Sequence, residues 1–332
     1  MSAKNPISST IDFAADGIHH GYLKLPYSCD QSAWGAIMIP ITVINHGQGK
    51  TALLTGANHG DEYEGPVALS KLANTIDIQN VNGRIIIVPF MNTPAFLAAT
   101  RTSPIDHGNM NRSFPGVPNG TVTQKIADYF QHTLLPLADI VIDIHSGGKT
   151  LDFLPFAASH ILQDKALQQE TEQLVAAFSA PYSLQMLELD SVGMFDTAVE
   201  DAGKIFVTTE LGGGGSSSAK TVAIAERGIT NVLIRAGILN GELQLSPTVY
   251  LKQDDSACFI TSEHDGLFEI CHDLGAMVKK GDVVARVHDM KRTGVKPIEY
   301  TAKCSGLVTG RHFPGVIHSG DNMLVISEIV SA

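Results

Sequence analysis

Apolar and polar positions along the chain predict strands and helices in alternation. Short runs that are almost entirely apolar predict buried strands, and apolar residues spaced three to four apart predict helices. The predicted strands are Tyr22–Leu25, Ile37–Val43, Ala52–Leu54, Arg84–Pro89, Asp139–Ile144 and Lys204–Thr209. The predicted helices are Pro66–Leu72, Thr123–Leu137 (capped by Thr123), Lys165–Phe178 and Val222–Leu239. This alternation indicates an α/β fold, with a largely parallel sheet that has helices on both faces.

Two features interrupt the pattern. Pro40 lies inside the strand Ile37–Val43, which predicts an edge or bulge position, because proline cannot donate a hydrogen bond to a neighbouring strand. Residues 92–121 are rich in Asn, Pro, Gly and Arg and predict a long loop. A loop of that length in a compact domain usually carries function.

The character of the chain changes near residue 242. Beyond it the helical spacing disappears, and short β-rich runs separated by Gly-containing turns take over, such as Ala257–Thr261, Val283–Val287 and Met323–Ile329. We therefore predict two domains, a catalytic α/β domain over residues 1–242 and a smaller all-β domain over residues 243–332.

Composition narrows the function classes. The chain has 332 residues, of which 44% are hydrophobic and 17% charged, as in an ordinary globular enzyme. Its net charge of -11 argues against nucleic-acid binding, which needs clustered Lys and Arg. The four cysteines are scattered and predict no disulfide framework, and no apolar run is long enough to predict a membrane span. The first 30 residues lack a basic start followed by an apolar core, so no signal peptide is predicted. A cytoplasmic location is the expectation.

Candidate chemistry follows the strand Ala52–Leu54. Three glycines in the stretch Thr51–Gly65 predict a sharp turn just beyond the strand end, and His59 and Glu62 lie in that turn. An imidazole and a carboxylate three positions apart can both reach one small cation. A water-activating zinc site uses two histidines and one glutamate and leaves a position open for water.

Two further strands end in comparable residues. The strand Asp139–Ile144 leads into His145, and Lys204–Thr209 leads into Glu210. Because ligands bind beyond the carboxyl ends of strands in open α/β sheets, these residues should converge with His59 and Glu62. A single histidine at a strand end is more often hydrogen-bonded or solvated, so the prediction depends on all four residues. Together they supply three zinc ligands and one free carboxylate that can take a proton from water.

The long loop adds Arg101, Asn111 and Arg112. A guanidinium beside an amide suits bidentate binding of a substrate carboxylate, and a second arginine near a metal ion can stabilise an oxyanion. The alternative is that these arginines form surface ion pairs. Asp143, two residues before His145, either orients that histidine or caps a neighbouring loop.

These motifs resemble the succinylglutamate desuccinylase/aspartoacylase family. The resemblance rests on HGDE with His59 and Glu62, NMNR with Asn111 and Arg112, DIHSGG with His145, and TTELGGGG with Glu210, and it spans nearly the whole chain. It implies a carboxypeptidase-like fold with a mixed, largely parallel sheet, and a hydrolase that removes an acyl group from the α-nitrogen of a small amino acid. Within the family, the finer likeness implies an acetyl group on 2,4-diaminobutyrate, as in ectoine degradation. It rests on the stretches YSCDQSAWGAIMIPITVINHG, TALLTGANHGDEYEG, SPIDHGNMNRSFPG and TTELGGGG.

The resemblance also implies the role of each residue. It makes His59, Glu62 and His145 the ligands of one zinc ion per chain, and Glu210 the general base. It places Arg101 at the oxyanion, and Asn111 and Arg112 on the carboxylate of a small N-acyl amino acid substrate. The alternatives are another deacylase of the family (succinylglutamate desuccinylase or aspartoacylase type), a carboxypeptidase, and a non-catalytic protein that binds acyl amino acids.

The C-terminal residues resemble a biotinyl/lipoyl-like barrel, with KKGDVV and CSGLV in its two halves. This module is expected to wall the active-site entrance or to mediate formation of a homo-oligomer.

Overall fold

A computed structural model describes residues 4–187 and 190–330 of the chain. The first ten strands are β1 (Ser8–Ser9), β2 (Gly17–Pro26), β3 (Ala36–His46), β4 (Thr51–Gly56), β5 (Gly83–Val88), β6 (Ile140–Ile144), β7 (Leu151–Phe153), β8 (Phe156–Ser159), β9 (Tyr182–Gln185) and β10 (Ile205–Glu210). The α-helices are α1 (Glu64–Thr75), α2 (Thr93–Ala98), α3 (Val122–Tyr129), α4 (Lys165–Phe178), α5 (Phe195–Asp201) and α6 (Ala219–Arg235). The remaining strands are β11 (Val249–Lys252), β12 (Phe259–Thr261), β13 (Gly266–Ile270), β14 (Met277–Val278), β15 (Val283–His288), β16 (Ile298–Thr301), β17 (Gly306–His312), β18 (Val316–Ile317) and β19 (Asn322–Ile329).

Four neighbouring strands form the parallel centre of the main sheet, in the order β5-β4-β6-β10. On one side, β3 pairs with β5 and β2 with β3, both antiparallel. On the other side, β8 pairs antiparallel with β10, and β9 runs parallel to β8. The α/β prediction is therefore confirmed, and the sheet is mixed. The carboxyl ends of β4, β6 and β10 lie side by side, which is the arrangement that the candidate residues require.

Helices cover both faces of the parallel centre. In β4, Ala52 and Leu54 pack into a core that includes apolar residues of α1, α4 and α6, whereas Leu53 packs into a second core with residues of α3 and α5. All six residues of β4 are buried. This explains why most positions of the central strands are apolar, since each of their faces meets a helix layer.

Two predicted helix boundaries are wrong. The helix predicted to end at Leu239 ends at Arg235, as α6, and the predicted start of α3 also differs. Thr121, rather than Thr123, caps α3: its Oγ1 accepts a hydrogen bond from the N–H of Gln124, whose side chain accepts one from the N–H of Thr121. Thr123 instead donates both its N–H and its Oγ1–H to Asp106, at 2.7 and 2.8 Å, and so ties the preceding loop to the helix. After Tyr129 the predicted helix continues as a π turn and a 3-10 turn that end at Leu137.

The predicted loop 92–121 contains the short helix α2 and a 3-10 turn, Met110–Arg112. Asn92 caps α2 by accepting a hydrogen bond from the N–H of Ala95. Pro40 lies opposite Tyr22 of β2, and the pairing of β3 with β5 begins only at Thr42. Pro40 thus lies at a local edge of the sheet, as predicted. No β5 residue is paired with it there, so the N–H that proline lacks is not needed on that side.

The C-terminal strands do not stand apart from the main sheet. Strand β11 runs parallel to β9 and pairs antiparallel with β19, which also pairs with β17 and β12, and β7 pairs with β17. A second sheet has the order β16-β15-β13-β18. The C-terminal part is rich in β-structure, while the barrel-like form and the domain boundary at residue 242 stay predictions. The four cysteines are free thiols, and none of the described helices is long and apolar enough to cross a membrane.

Candidate metal centre and substrate cavity

His59 and Glu62 lie in the turn between β4 and α1. This turn packs against the backbone of α2 and of the residues just after it. The N–H of Gly60 donates to the carbonyl oxygen of Thr100 at 3.0 Å. A Cβ added at Gly60 would lie 2.0 Å from the carbonyl carbon of Ala95, so only glycine allows the two segments to approach this closely. Gly60 therefore shapes the turn that presents His59 and Glu62.

We expect Gly60→Ala to lower the free energy of unfolding by about 1–3 kcal/mol, because the contact is with backbone that cannot rotate away. The displaced turn should also bind metal less well. Thermal unfolding and metal analysis of the purified variant test this expectation. Gly315→Ala is the matched control, since a Cβ there would meet only Leu267 Cδ1, at 4.0 Å. An unfolding temperature for Gly60→Ala equal to that of the control would show that the turn can shift freely.

The side chains of His59, Glu62 and His145 form a compact, buried group. Nδ1 of His59 is 2.8 Å from Oε1 of Glu62, and Nδ1 of His145 is 3.0 Å from Oε2 of the same carboxylate. One ligand atom from each of the three lies within 4.8 Å of the others. Both histidines thus present the same type of nitrogen to one carboxylate, and the donor set of two imidazoles and one carboxylate is one that zinc prefers.

Asp143 orients His145, which decides between the two roles that the sequence leaves open. Its Oδ2 is 2.8 Å from Nε2 of His145, and the same carboxylate accepts hydrogen bonds from Thr55 Oγ1–H and the Asn58 side-chain amide. A carboxylate on the second nitrogen of an imidazole fixes the ring so that Nδ1 is free to bind a metal ion.

The electrostatics of the group favour a cation. Burial of Glu62 raises its pKa, but the charges of His145 and His59 and their hydrogen bonds outweigh burial and hold the pKa well below its usual range. Burial lowers the pKa of His145, yet the carboxylates of Asp143 and Glu62 raise it well above the ordinary value. The pKa of His59 is lowered, chiefly by burial. The carboxylates of Asp143 and Glu62 thus stabilise a positive charge on His145. A metal ion bound at this point would neutralise the same negative charge.

Glu210 is the last residue of β10 and lies beside this group. Its Oε2 is buried without a hydrogen-bond partner among the described residues. Burial, and then the charge of Glu62, raise the pKa of Glu210 to about 8, against the opposing charges of His145 and Arg101. A carboxyl group in this environment is suited to accept a proton from water and release it again near neutral pH.

Of the seven candidate residues, all except Glu62 line one cavity of about 310 Å³. Arg101 is half-exposed, with Nη1 3.9 Å from Oε1 of Glu62. The cavity also has an apolar wall formed by Leu151, Phe153, Phe156, Met186, Leu187 and Phe259. Phe259 comes from β12, so the C-terminal part contributes to the wall of the cavity, one of the two roles that the sequence analysis expects.

Asn111 and Arg112 reach the cavity from the 3-10 turn Met110–Arg112. Oδ1 of Asn111 accepts a hydrogen bond from the N–H of Phe195 at 2.8 Å, and its Nδ2 donates to none of the described residues. The guanidinium of Arg112 donates from Nη1 to the carbonyl oxygen of Asn111 at 2.6 Å, and its Nε lies 4.0 Å from Asp190. An amide N–H₂ and a partly free guanidinium therefore face the same space, which suits a carboxylate.

A larger cavity, of about 440 Å³, lies elsewhere and holds none of the candidate residues. Its lining includes Ile140 and Ile205, the first residues of β6 and β10. It therefore opens at the amino ends of the parallel strands, whereas ligands of such sheets bind at the carboxyl ends.

Sequence reasoning missed several residues of the site. Asp61 and Glu64, which flank Glu62 in the sequence and received no predicted role, are both buried. Asp61 accepts a hydrogen bond from the N–H of Lys149, and Glu64 accepts one from Thr221. Asp196, in the first turn of α5, lines the cavity and was not predicted at all. Its place in the sequence looks like that of any acid at a helix start, and only the packing of α5 brings it to the site.

The chain is similar to proteins of known family over almost its full length. Residues 48–236 match the family described as the succinylglutamate desuccinylase/aspartoacylase catalytic domain. The N-alpha-acetyl-L-2,4-diaminobutyric acid deacetylase of Halomonas elongata is 56% identical over 330 residues, which covers 99% of this chain and 96% of that protein.

Solved structures agree with this likeness. The product-bound ectoine utilization protein EutE (DoeB) of Ruegeria pomeroyi has a TM-score of 0.97 and 64% identity, covering 98% of this chain and 99% of that one. A structure described as a succinylglutamate desuccinylase from Silicibacter sp. has a TM-score of 0.96 and 64% identity, with 98% and 99% of the two chains covered. The fold and the full length of the chain are thus shared with these proteins.

Proposed function

The chain belongs to the succinylglutamate desuccinylase/aspartoacylase family of enzymes that hydrolyse N-acyl amino acids, and from that premise we propose that it is a zinc-dependent deacetylase of Nα-acetyl-L-2,4-diaminobutyrate. The observation that carries the chemistry is the convergence of four side chains at the ends of three adjacent parallel strands: His59, Glu62, His145 and Glu210. The proposed substrate is that of the Halomonas elongata deacetylase, which is 56% identical to this chain over 330 residues.

His59, Glu62 and His145 would hold the zinc ion, which supplies a water of lowered pKa and polarises a carbonyl oxygen. Glu210 takes the proton of the attacking water, because it lines the cavity with His59 and His145 and its buried Oε2 has no hydrogen-bond partner among the described residues. The water oxygen bonds to the acetyl carbon, the bond from that carbon to the α-nitrogen breaks, and Glu210 passes its proton to the leaving amine. The products are acetate and 2,4-diaminobutyrate.

Arg101 stabilises the negative charge that develops on the acetyl oxygen. Its guanidinium lies at the rim of the ligand group, 3.9 Å from Glu62, and half of its side chain is exposed to the cavity and solvent. A permanently charged donor at that position favours the transition state over the neutral amide. Asn111 and Arg112 hold the substrate carboxylate, which orients the amide toward Glu210.

The test is turnover of a small substrate panel by the purified, zinc-loaded protein, followed by detection of the free amine. We expect Nα-acetyl-L-2,4-diaminobutyrate to be the best substrate, ahead of N-acetyl-aspartate and N-succinyl-glutamate. Preference for the succinyl substrate would assign the chain to desuccinylation within the same family. Binding of all substrates without turnover of any would instead indicate a non-catalytic binding protein.

Arg112→Lys should lower kcat/KM for the N-acetyl amino acid by about 10–100-fold, because lysine cannot make the planar, paired contact of a guanidinium with a carboxylate. The loss stays in this range since Arg112 is 41% exposed and shares its charge with Asp190. The same substitution should leave kcat/KM unchanged for a substrate whose carboxyl group is amidated. Equal losses on both substrates would mean that Arg112 shapes the loop and does not bind the carboxylate.

A further inference from the structure

The cavity contains a buried acid to which the proposed reaction gives no role. Asp196 is 5% exposed and lines the cavity. Its Oδ1 accepts hydrogen bonds from the N–H and the hydroxyl of Thr197, at 2.6 and 3.3 Å. Its Oδ2 accepts no hydrogen bond from the described part of the chain, and no Lys, Arg or His there forms an ion pair with it. One oxygen of a buried carboxylate therefore remains available to a ligand.

The position of Asp196 is fixed by the same contacts that fix the carboxylate-binding groups. The N–H of Phe195, one residue earlier, donates to Asn111 at 2.8 Å. Phe195 itself is fully buried against Phe206 of β10, the strand that ends at Glu210. Contacts of Phe195 thus connect three parts of the cavity wall: Asn111, the strand that ends at Glu210, and Asp196.

We propose that Asp196 binds the γ-ammonium group of the substrate and selects a cationic side chain. This proposal rests on the proposed function and adds the residue that reads the substrate side chain. A buried carboxylate is costly unless a positive partner neutralises it, and the substrate brings that partner with it. The same charge repels the side chains of N-acyl aspartate and glutamate, so one residue both attracts the cation and rejects the anions.

Among the described residues that line the cavity, Asp190 is the other acid outside the ligand group and Glu210, and it is less suited to this role. Its side chain is 64% exposed and lies 4.0 Å from the guanidinium of Arg112, which already supplies a positive charge. Water screens an exposed carboxylate, so its attraction for an ammonium group is weak compared with that of a buried one.

The experiment compares Nα-acetyl-L-2,4-diaminobutyrate with Nα-acetyl-L-2-aminobutyrate, which lacks only the γ-amino group. In Asp196→Asn we expect kcat/KM for the diamino substrate to fall about 10–100-fold, the range for a lost hydrogen bond to a charged group. The other substrate should change by less than about threefold, since it makes no such bond. Asp201→Asn, which removes an exposed charge from the other end of α5, should alter neither value.

Loss of both activities by the same factor would overturn the proposal, because a mere helix-start role for Asp196 predicts that result. Binding to the wild-type protein supplies a second test that needs neither the variant nor turnover. By calorimetry, zinc-loaded protein should bind 2,4-diaminobutyrate at least about tenfold more tightly than 2-aminobutyrate. Equal affinities would reject the γ-ammonium site, whereas failure to hydrolyse either acetyl substrate would reject only the proposed function.

Discussion

Glu210→Gln is expected to lower kcat about a thousandfold while zinc and substrate still bind, because the amide cannot accept the proton of the attacking water. The substitution keeps the shape and length of the side chain at the end of β10. It removes only the proton acceptor, so the loss should appear in kcat and leave KM nearly unchanged. Steady-state kinetics with the acetyl substrate, together with metal analysis of the same preparation, measure both parts of the expectation.

The matched control is Glu64→Gln. Glu64 is also buried, and its charge also acts on Glu210, but Glu64 is absent from the lining of the cavity and its Oε1 accepts a hydrogen bond from Thr221 that a glutamine can also accept. We expect this control to stay within about tenfold of the wild type, since it leaves the proton acceptor in place. If the fall in kcat of Glu210→Gln were no larger than that of the control, another group would have to be the base.

His145→Ala should abolish stoichiometric zinc binding and, with it, turnover. Two ligands remain, and the pairing that keeps the carboxylate of Glu62 ordered is lost from one side. The fold should survive, because His145 lies beyond the last residue of β6 and Asp143 keeps its hydrogen bonds from Thr55 and Asn58. Mass spectrometry of the metal content and circular dichroism of the same sample measure the two outcomes.

His160→Ala is the control for this variant. His160 is as buried as His145 and contacts the carboxylate of Glu200 at 3.0 Å, but it is not part of the ligand group. It should keep one zinc ion per chain.

Asp143→Asn should bind zinc more weakly than the wild type but more tightly than His145→Ala, since loss of a carboxylate partner behind a ligand histidine weakens metal binding by about 10–100-fold. Full zinc occupancy in His145→Ala would exclude His145 as a ligand.

The convergence of three candidate residues could be predicted because each of them follows directly from a local pattern. An apolar run identifies a buried strand, glycines mark the turn near its end, and polar residues at or just beyond that end lie at the edge of the sheet. This reasoning brings His59, His145 and Glu210 together without any knowledge of tertiary contacts. The structure places all three at adjacent strand ends, β4, β6 and β10.

The features that sequence reasoning missed depend on contacts between distant segments. Thr123 looks like the cap of α3, but a hydrogen bond to Asp106 occupies it, and Thr121 takes the capping position. The pairing of β11 with β9, which joins the C-terminal strands to the main sheet, has no local signal either. Asp196 is the clearest case, since nothing in its own helix distinguishes it from an ordinary solvent-exposed acid.

The most direct test of the whole account is release of acetate from the two singly acetylated isomers of L-2,4-diaminobutyrate. A carboxylate held by Asn111 and Arg112 and a γ-ammonium group held by Asp196 leave only the α-amide beside Glu210. The zinc-loaded protein should therefore hydrolyse the Nα-acetyl isomer at least about a hundredfold faster than the Nγ-acetyl isomer, as misplacement of the reacting group by about 1 Å already costs that much. Equal rates, or a preference for the Nγ-acetyl isomer, would contradict the account.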